Sequence, residues 1–176
     1  PNGGLGDARN VGMEAAQGEY VVFLDSDDYI GAGMFRTLAG AIDRFHSDVI
    51  DFGFAVDTDG TITKHLVDDL PHNRTFTLAE LPQLLLTQPN AWSRCWKRSL
   101  FLDTGIRYPS RVWYEDIRTT TKLFAAAGSI CAVPDVFYYY VVREGSITRN
   151  PNVARNAEIL DAFDDLLGWY RSSGLF

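Results

Sequence analysis

The sequence predicts an α/β fold, and three observations lead there. Segments with helical spacing alternate with short runs of β-branched and aromatic residues. One such run, Tyr20-Val21-Val22-Phe23-Leu24, passes directly into Asp25-Ser26-Asp27-Asp28. Acids at the carboxyl end of a strand mark the edge where open α/β sheets bind ligands. Asp59-Gly60 divides two further strand-like runs, which is a hairpin signal. With 176 residues, 46% of them hydrophobic, the chain can bury one ordinary core.

Pro1-Asn2-Gly3-Gly4 is turn chemistry. The helix that follows has Leu5, Ala8, Val11 or Gly12, and Ala15 as its apolar side, with Gly18 as its C′ residue. By periodicity alone Arg9 is a solvated charge. Tyr20 to Leu24 lacks polar alternation and reads as a strand buried on both faces. A second helix spans residues 32–45, with the stripe Met34, Leu38, Ile42 and Phe45. Residues 48–56 form a strand, and Thr61 to Thr63 return across the Asp59-Gly60 turn. Thr77-Leu78-Ala79-Glu80 is a capping box that opens a short helix through Leu86. Another helix runs from Ile117 to Ala127, ended by Gly128, with Glu115 and Asp116 at its N-terminus. Two strands follow, Ile130 to Val133 and Val136 to Val142. A last amphipathic helix covers residues 153–171, with Ile159, Leu160, Phe163, Leu166 and Leu167 on its stripe.

Composition excludes some function classes. The net charge is −7 and there is no basic run, so nucleic acid is not an expected partner. Cys95 and Cys131 stand in apolar surroundings and make neither a disulfide framework nor a zinc site; they are expected as reduced core thiols, in keeping with a cytoplasmic location. His46, His65 and His72 lack metal-ligand spacing. No apolar run has the length of a membrane span.

Asp25 and Asp27, two residues apart after a strand, offer hard oxygen ligands suited to Mg²⁺ or Mn²⁺ when a substrate phosphate completes the shell. Three other readings compete. A solvated acidic turn is the plainest. A calcium EF-hand fails, because Ile30 stands where that loop needs Gly and Arg36 where it needs Glu. A phosphatase of the haloacid dehalogenase type would use Asp25 as nucleophile and Asp27 as general acid.

Taken together, the motifs resemble a family. Asn2-Gly3-Gly4-Leu5-Gly6-x-Ala8-Arg9-Asn10, followed by Gly18-Glu19-Tyr20-x-x-Phe23-Leu24-Asp25-Ser26-Asp27-Asp28, resembles the nucleotide-sugar half of family 2 glycosyltransferases of the GT-A fold. Trp92 and the basic-aromatic run to Phe101, then Tyr114-Glu115-Asp116, then Tyr138-x-Tyr140 with Arg143-Glu144-Gly145-Ser146-Ile147-Thr148, continue the resemblance in the family's order over most of residues 1–150. It implies a Rossmann-like mixed sheet with flanking helices. It also implies transfer, by inversion, of a sugar from a nucleoside diphosphate, UDP favoured, to a saccharide or lipid-linked acceptor in polysaccharide or glycoconjugate synthesis. Asp25 and Asp27 would hold the Mn²⁺ or Mg²⁺ and the donor, Asp27 being the more direct metal ligand. Asp116 would be the general base with Glu115 beside it. Arg9 would reach the nucleotide or diphosphate, Trp92 would contact substrate, and Arg143 and Ser146 would close over the diphosphate. Ser93 and Arg94 depart from the family's Asn and Lys.

The family's first strand, helix and second strand do not precede Pro1. The expected organisation is therefore one truncated domain: residues 1–60 the remainder of the nucleotide-sugar half, 61–150 the acceptor half, and 151–176 a C-terminal helix. A strand edge beside Val22 would be left open, and the expected consequence is self-association through it, readable by light scattering, pairing with the missing segment as a separate chain, or rearrangement there. Family analogy adds peripheral work at the inner face of a membrane. An inactive fragment serving as a binding module is the alternative from a different class.

Overall fold

The computed structural model describes residues 3–66, 68–72, 74–142 and 153–175. The elements are α1 (Gly4–Ala15), β1 (Tyr20–Val22), β2 (Tyr29–Ile30), α2 (Met34–Phe45), β3 (Val49–Thr58), β4 (Thr61–Leu66), a 3₁₀ turn (Pro82–Leu86), β5 (Arg94–Lys97), α3 (Arg98–Thr104), α4 (Ile117–Ala126), β6 (Ile130–Val142), α5 (Val153–Asn156) and α6 (Glu158–Ser172). The six strands form one mixed sheet in the order β1-β5-β3-β6-β2, with β4 on β3. β3 and β6 are parallel, and the other pairs are antiparallel.

β3 is the spine of the sheet. Its first residues, Val49 to Asp51, pair with β5, its last, Phe54 to Thr58, pair with β4, and β6 lies along the other side. Successive side chains of a strand point to opposite faces, so Val49 and Ile50 enter two different cores. On one face Val49 joins Met13 of α1, Phe101 of α3 and Phe124 of α4. On the other Ile50, Phe52 and Phe54 join Met34 and Leu38 of α2. Asp59 and Gly60 both take positive φ, 52° and 82°, the two left-handed corners that a two-residue hairpin requires.

Several expectations are corrected. β1 is three residues long, and only Val21 in it is buried; Leu24 is 50% exposed. The run looks two-sided because it is apolar, but β1 lies at the end of the sheet, with β5 on one side and no strand on the other among the described residues. An apolar groove of about 260 Å³ runs along it, lined by Val22, Leu24, Met34 and Phe35 among others. α1 buries Gly6, Arg9 and Met13 and leaves Leu5 and Val11 exposed, so the apolar stripe is not its inner face. Gly18 does not cap it; the helix ends at Ala15 with Ala16 extended. The capping-box bonds of Thr77 and Glu80 form both ways, but they brace a turn ahead of the 3₁₀ segment. Residues 130–142 make one strand, which continues through Pro134 with register shifts opposite Asp51 to Phe54. The last helix is divided into α5 and α6, and α6 buries Ala162 and Leu166 while Leu160, Phe163 and Leu167 stay exposed. Cys95 and Cys131 are free and buried, as expected.

Gly6 fixes how closely α1 approaches the 105–116 segment. A Cβ on it would lie 2.2 Å from the carbonyl oxygen of Pro109. Backbone cannot give way as a side-chain tip can, so Gly6→Ala should cost about 1–3 kcal/mol as overpacking. Chemical denaturation would read this as a lower midpoint at unchanged slope.

Candidate active site

The acids after β1 form a tight turn. The Asp28 N–H donates to the Asp25 carbonyl at 3.1 Å, which leaves Ser26 and Asp27 exposed at the corners. The chain then docks onto β6 as β2, with Tyr29 opposite Tyr139 and Ile30 opposite Tyr138. The Tyr138 hydroxyl accepts from the Asp25 N–H at 3.1 Å and donates to Asp28 Oδ2 at 2.5 Å. The Val141 N–H donates to Asp28 Oδ1 at 2.8 Å. Burial raises the Asp28 carboxyl, with the Tyr138 hydrogen bond pulling the other way. Burial and the bond to Asp28 hold the Tyr138 hydroxyl far above its usual range, so it stays a proton donor.

The second pair of acids comes from the N-terminus of α4. Asp116 is the N-cap, and its Oδ1 accepts from the Ile117 N–H at 2.9 Å. Tyr114, just before the pair, sits at φ 61° and turns the chain into the helix. Asn10 of α1 fastens the approaching segment: its amide donates to the Tyr108 carbonyl at 2.7 Å and accepts from the Tyr108 N–H at 3.0 Å.

Arg9 joins the two groups of acids. One end of its guanidinium donates to Glu115 Oε1 at 2.6 Å and the other to Asp25 Oδ1 at 3.3 Å. Only 6% of Arg9 is exposed, and it stacks over Tyr108 with 5.4 Å to the ring centroid. Burial by itself would lower its pKa; Asp25, Tyr108 and Glu115 outweigh that and raise it, so the cation is secure. Periodicity alone made Arg9 a solvated charge, and the structure overturns that reading. A buried guanidinium needs its carboxylates, and those lie 16 and 106 residues away. Asp116 is pushed up to about 6, first by burial and then by Glu115. That places a carboxylate near the range useful for a general base.

Trp92 is 8% exposed, stacked on Tyr138 at 4.2 Å between centroids and edge-on to Phe54 at 4.8 Å. Arg143 and Ser146 lie outside the described residues. Two residues at the site were not picked out from the sequence as site residues, Asn10 and Tyr138. Asp28 was seen only as the third acid of the run. No spacing rule reveals a side chain whose partner is a backbone group far along the chain.

The donor set suits a cation that shares its shell. Among the described residues no group of three or more His, Cys, Asp or Glu could by itself hold a metal ion. Asp25 and Asp27 supply carboxylate oxygens only, so the remaining ligands would be water and substrate oxygens, as Mg²⁺ and Mn²⁺ accept.

Comparison with known proteins decides the family. The family model "Glycosyl transferase family 2" matches residues 1–104. The chain belongs to the family 2 glycosyltransferases. The uncharacterized glycosyltransferase EpsJ of Bacillus subtilis is 26% identical over 99% of this chain and 53% of its own length. The poly(ribitol-phosphate) β-N-acetylglucosaminyltransferase TarS of Staphylococcus aureus is 32% identical over 82% of this chain and 25% of its own. The crystal structure of TarS residues 1–349 in complex with UDP-GlcNAc superposes with a TM-score of 0.68 at 30% identity, covering 82% of this chain and 41% of that one. The GT-A fold is thereby shown, and the chain spans about half or less of the length of these family 2 relatives. Family membership displaces the phosphatase reading of Asp25. Among the described residues no helix is long and apolar enough to cross a membrane.

Proposed function

We propose that this domain transfers a sugar, with inversion, from a nucleoside-diphosphate sugar, UDP favoured, to an acceptor hydroxyl. The observation that carries the reading is the Arg9 bridge, which ties the Asp25 turn to Glu115 at the start of α4, beside Asp116. TarS, 30% identical in the superposed region, has been solved with UDP-GlcNAc and with UDP.

Asp25 and Asp27 would hold a Mn²⁺ or Mg²⁺, which when bound would offset the charge of the leaving diphosphate. Arg9 keeps Asp25 and Glu115 at a fixed spacing and offsets part of their negative charge beside the diphosphate. The acceptor oxygen attacks the anomeric carbon while the bond from that carbon to the diphosphate oxygen breaks. The electron pair leaves with the nucleoside diphosphate, and the acceptor proton passes to Asp116. Trp92 shapes the floor of the acceptor side, and the resemblance assigns Arg143 and Ser146 to a loop that closes over the diphosphate. A role in surface polysaccharide or glycoconjugate synthesis, from the cytoplasmic side and on a saccharide or lipid-linked acceptor, follows by analogy with the relatives.

Calorimetric titration with UDP in the presence and absence of Mn²⁺ tests this. The expected result is Mn²⁺-dependent binding that Asp27→Ala abolishes. Binding indifferent to both Mn²⁺ and Asp27 would sink the metal-bridged site.

A further inference from the structure

Tyr138 sits in the core, fully buried between β6 neighbours and stacked on Trp92. Packing alone would be met by phenylalanine. A hydroxyl buried in an aromatic stack costs free energy unless it is bonded, and this one is bonded twice, both times to the same turn. Asp28 is the complementary case. It belongs to a run of acids that reads as one metal-binding cluster, yet each of its oxygens is committed to β6, one to the Tyr138 hydroxyl and one to the Val141 N–H. The four-residue turn is thus held at both ends: at the Asp25 N–H and at the Asp28 carboxylate. Its corners, Ser26 and Asp27, are left exposed.

We infer that Tyr138 and Asp28 are positioning residues for the donor site, fixing the turn that aims Asp25 and Asp27, and that Asp28 is not itself a ligand. This rests on the reading of Asp25 and Asp27 as the donor acids. The acids divide by task, two toward the donor and one inward. The stack of Trp92 on Tyr138 further ties the segment just before β5 to the same anchor.

The test uses the intact protein and Tyr138→Phe, which keeps the ring and its stacking. Amide exchange by NMR should show the Asp25 N–H exchanging roughly tenfold faster, as loss of a hydrogen-bond partner implies. Calorimetry should show Mn²⁺-UDP binding roughly tenfold weaker, while the KM for acceptor stays at the wild-type value. Asp28→Asn, which keeps an oxygen for Val141, should move both readouts in the same direction. Tyr139→Phe, on the same strand, should move neither. If Tyr138→Phe leaves the Asp25 exchange or the Mn²⁺-UDP affinity unchanged while wild type binds, the inference is overturned alone. If wild type itself fails to bind Mn²⁺-UDP, the donor-site reading falls and this inference falls with it.

Discussion

Asp116→Asn is expected to reduce kcat for glycosyl transfer by about 10²–10⁴-fold, the usual worth of a positioned base, while leaving donor binding intact. The isosteric amide still accepts the Ile117 N–H that Asp116 accepts at 2.9 Å, so α4 keeps its cap. What is lost is the proton acceptor. The pH profile of the wild type gives an independent check. A base works only when ionised, and Asp116 has its pKa pushed up to about 6, by burial first and Glu115 second. Activity should therefore rise with pH through about 6 and level off above it. A wild-type profile flat from pH 5 to 8, or an Asp116→Asn variant with near-normal kcat, would remove Asp116 from the base role.

Arg94→Met is expected to destabilise the fold by about 3–5 kcal/mol, the cost of leaving a buried charge without its partner. Arg94 is fully buried, with its Nε 3.0 Å from Asp51 Oδ2, and it also bonds Asn90 and Thr87. The variant keeps the stem volume but strands Asp51, which is 2% exposed. Burial already pushes Asp51 up to about 7 against the pull of Arg94. Without Arg94 its folded pKa must climb further, while the unfolded value stays near the usual ~3.9. For a carboxyl raised on folding, stability is lost as pH climbs from the unfolded toward the folded pKa. Wild type stops losing near pH 7 and the variant does not. The deficit should widen when unfolding is followed from pH 6 to pH 8; a deficit that narrows over that range would show Asp51 to be ionised and satisfied by another group.

Much of the framework was legible because short-range rules decided it. Asp59-Gly60 supplies both positive-φ corners of its turn. Glu115 and Asp116 lie at the start of α4, where a helix favours acids. The acids after β1 are in a turn, as the abrupt change from apolar to charged residues indicates. Where the reading failed, a distant partner had overruled local pattern. α1 presents Arg9 inward because two carboxylates await it, so its apolar residues Leu5 and Val11 face out. β6 runs through Pro134 because a register shift against β3 absorbs the missing donor. Tyr138 was legible as a strand tyrosine but not as an anchor, since only the fold brings Asp28 to it.

The parallel pairing of β3 with β6 also governs when the site can exist. Val49 pairs with Ile130, so the two central strands meet only after a long loop of chain has closed, an entropic step that slows folding. The β3–β4 hairpin needs no such closure and can form early. The donor turn depends on Tyr138 and Val141, both late in the sequence. During synthesis, then, the acids that follow β1 must wait, unaligned, until the ribosome has released β6.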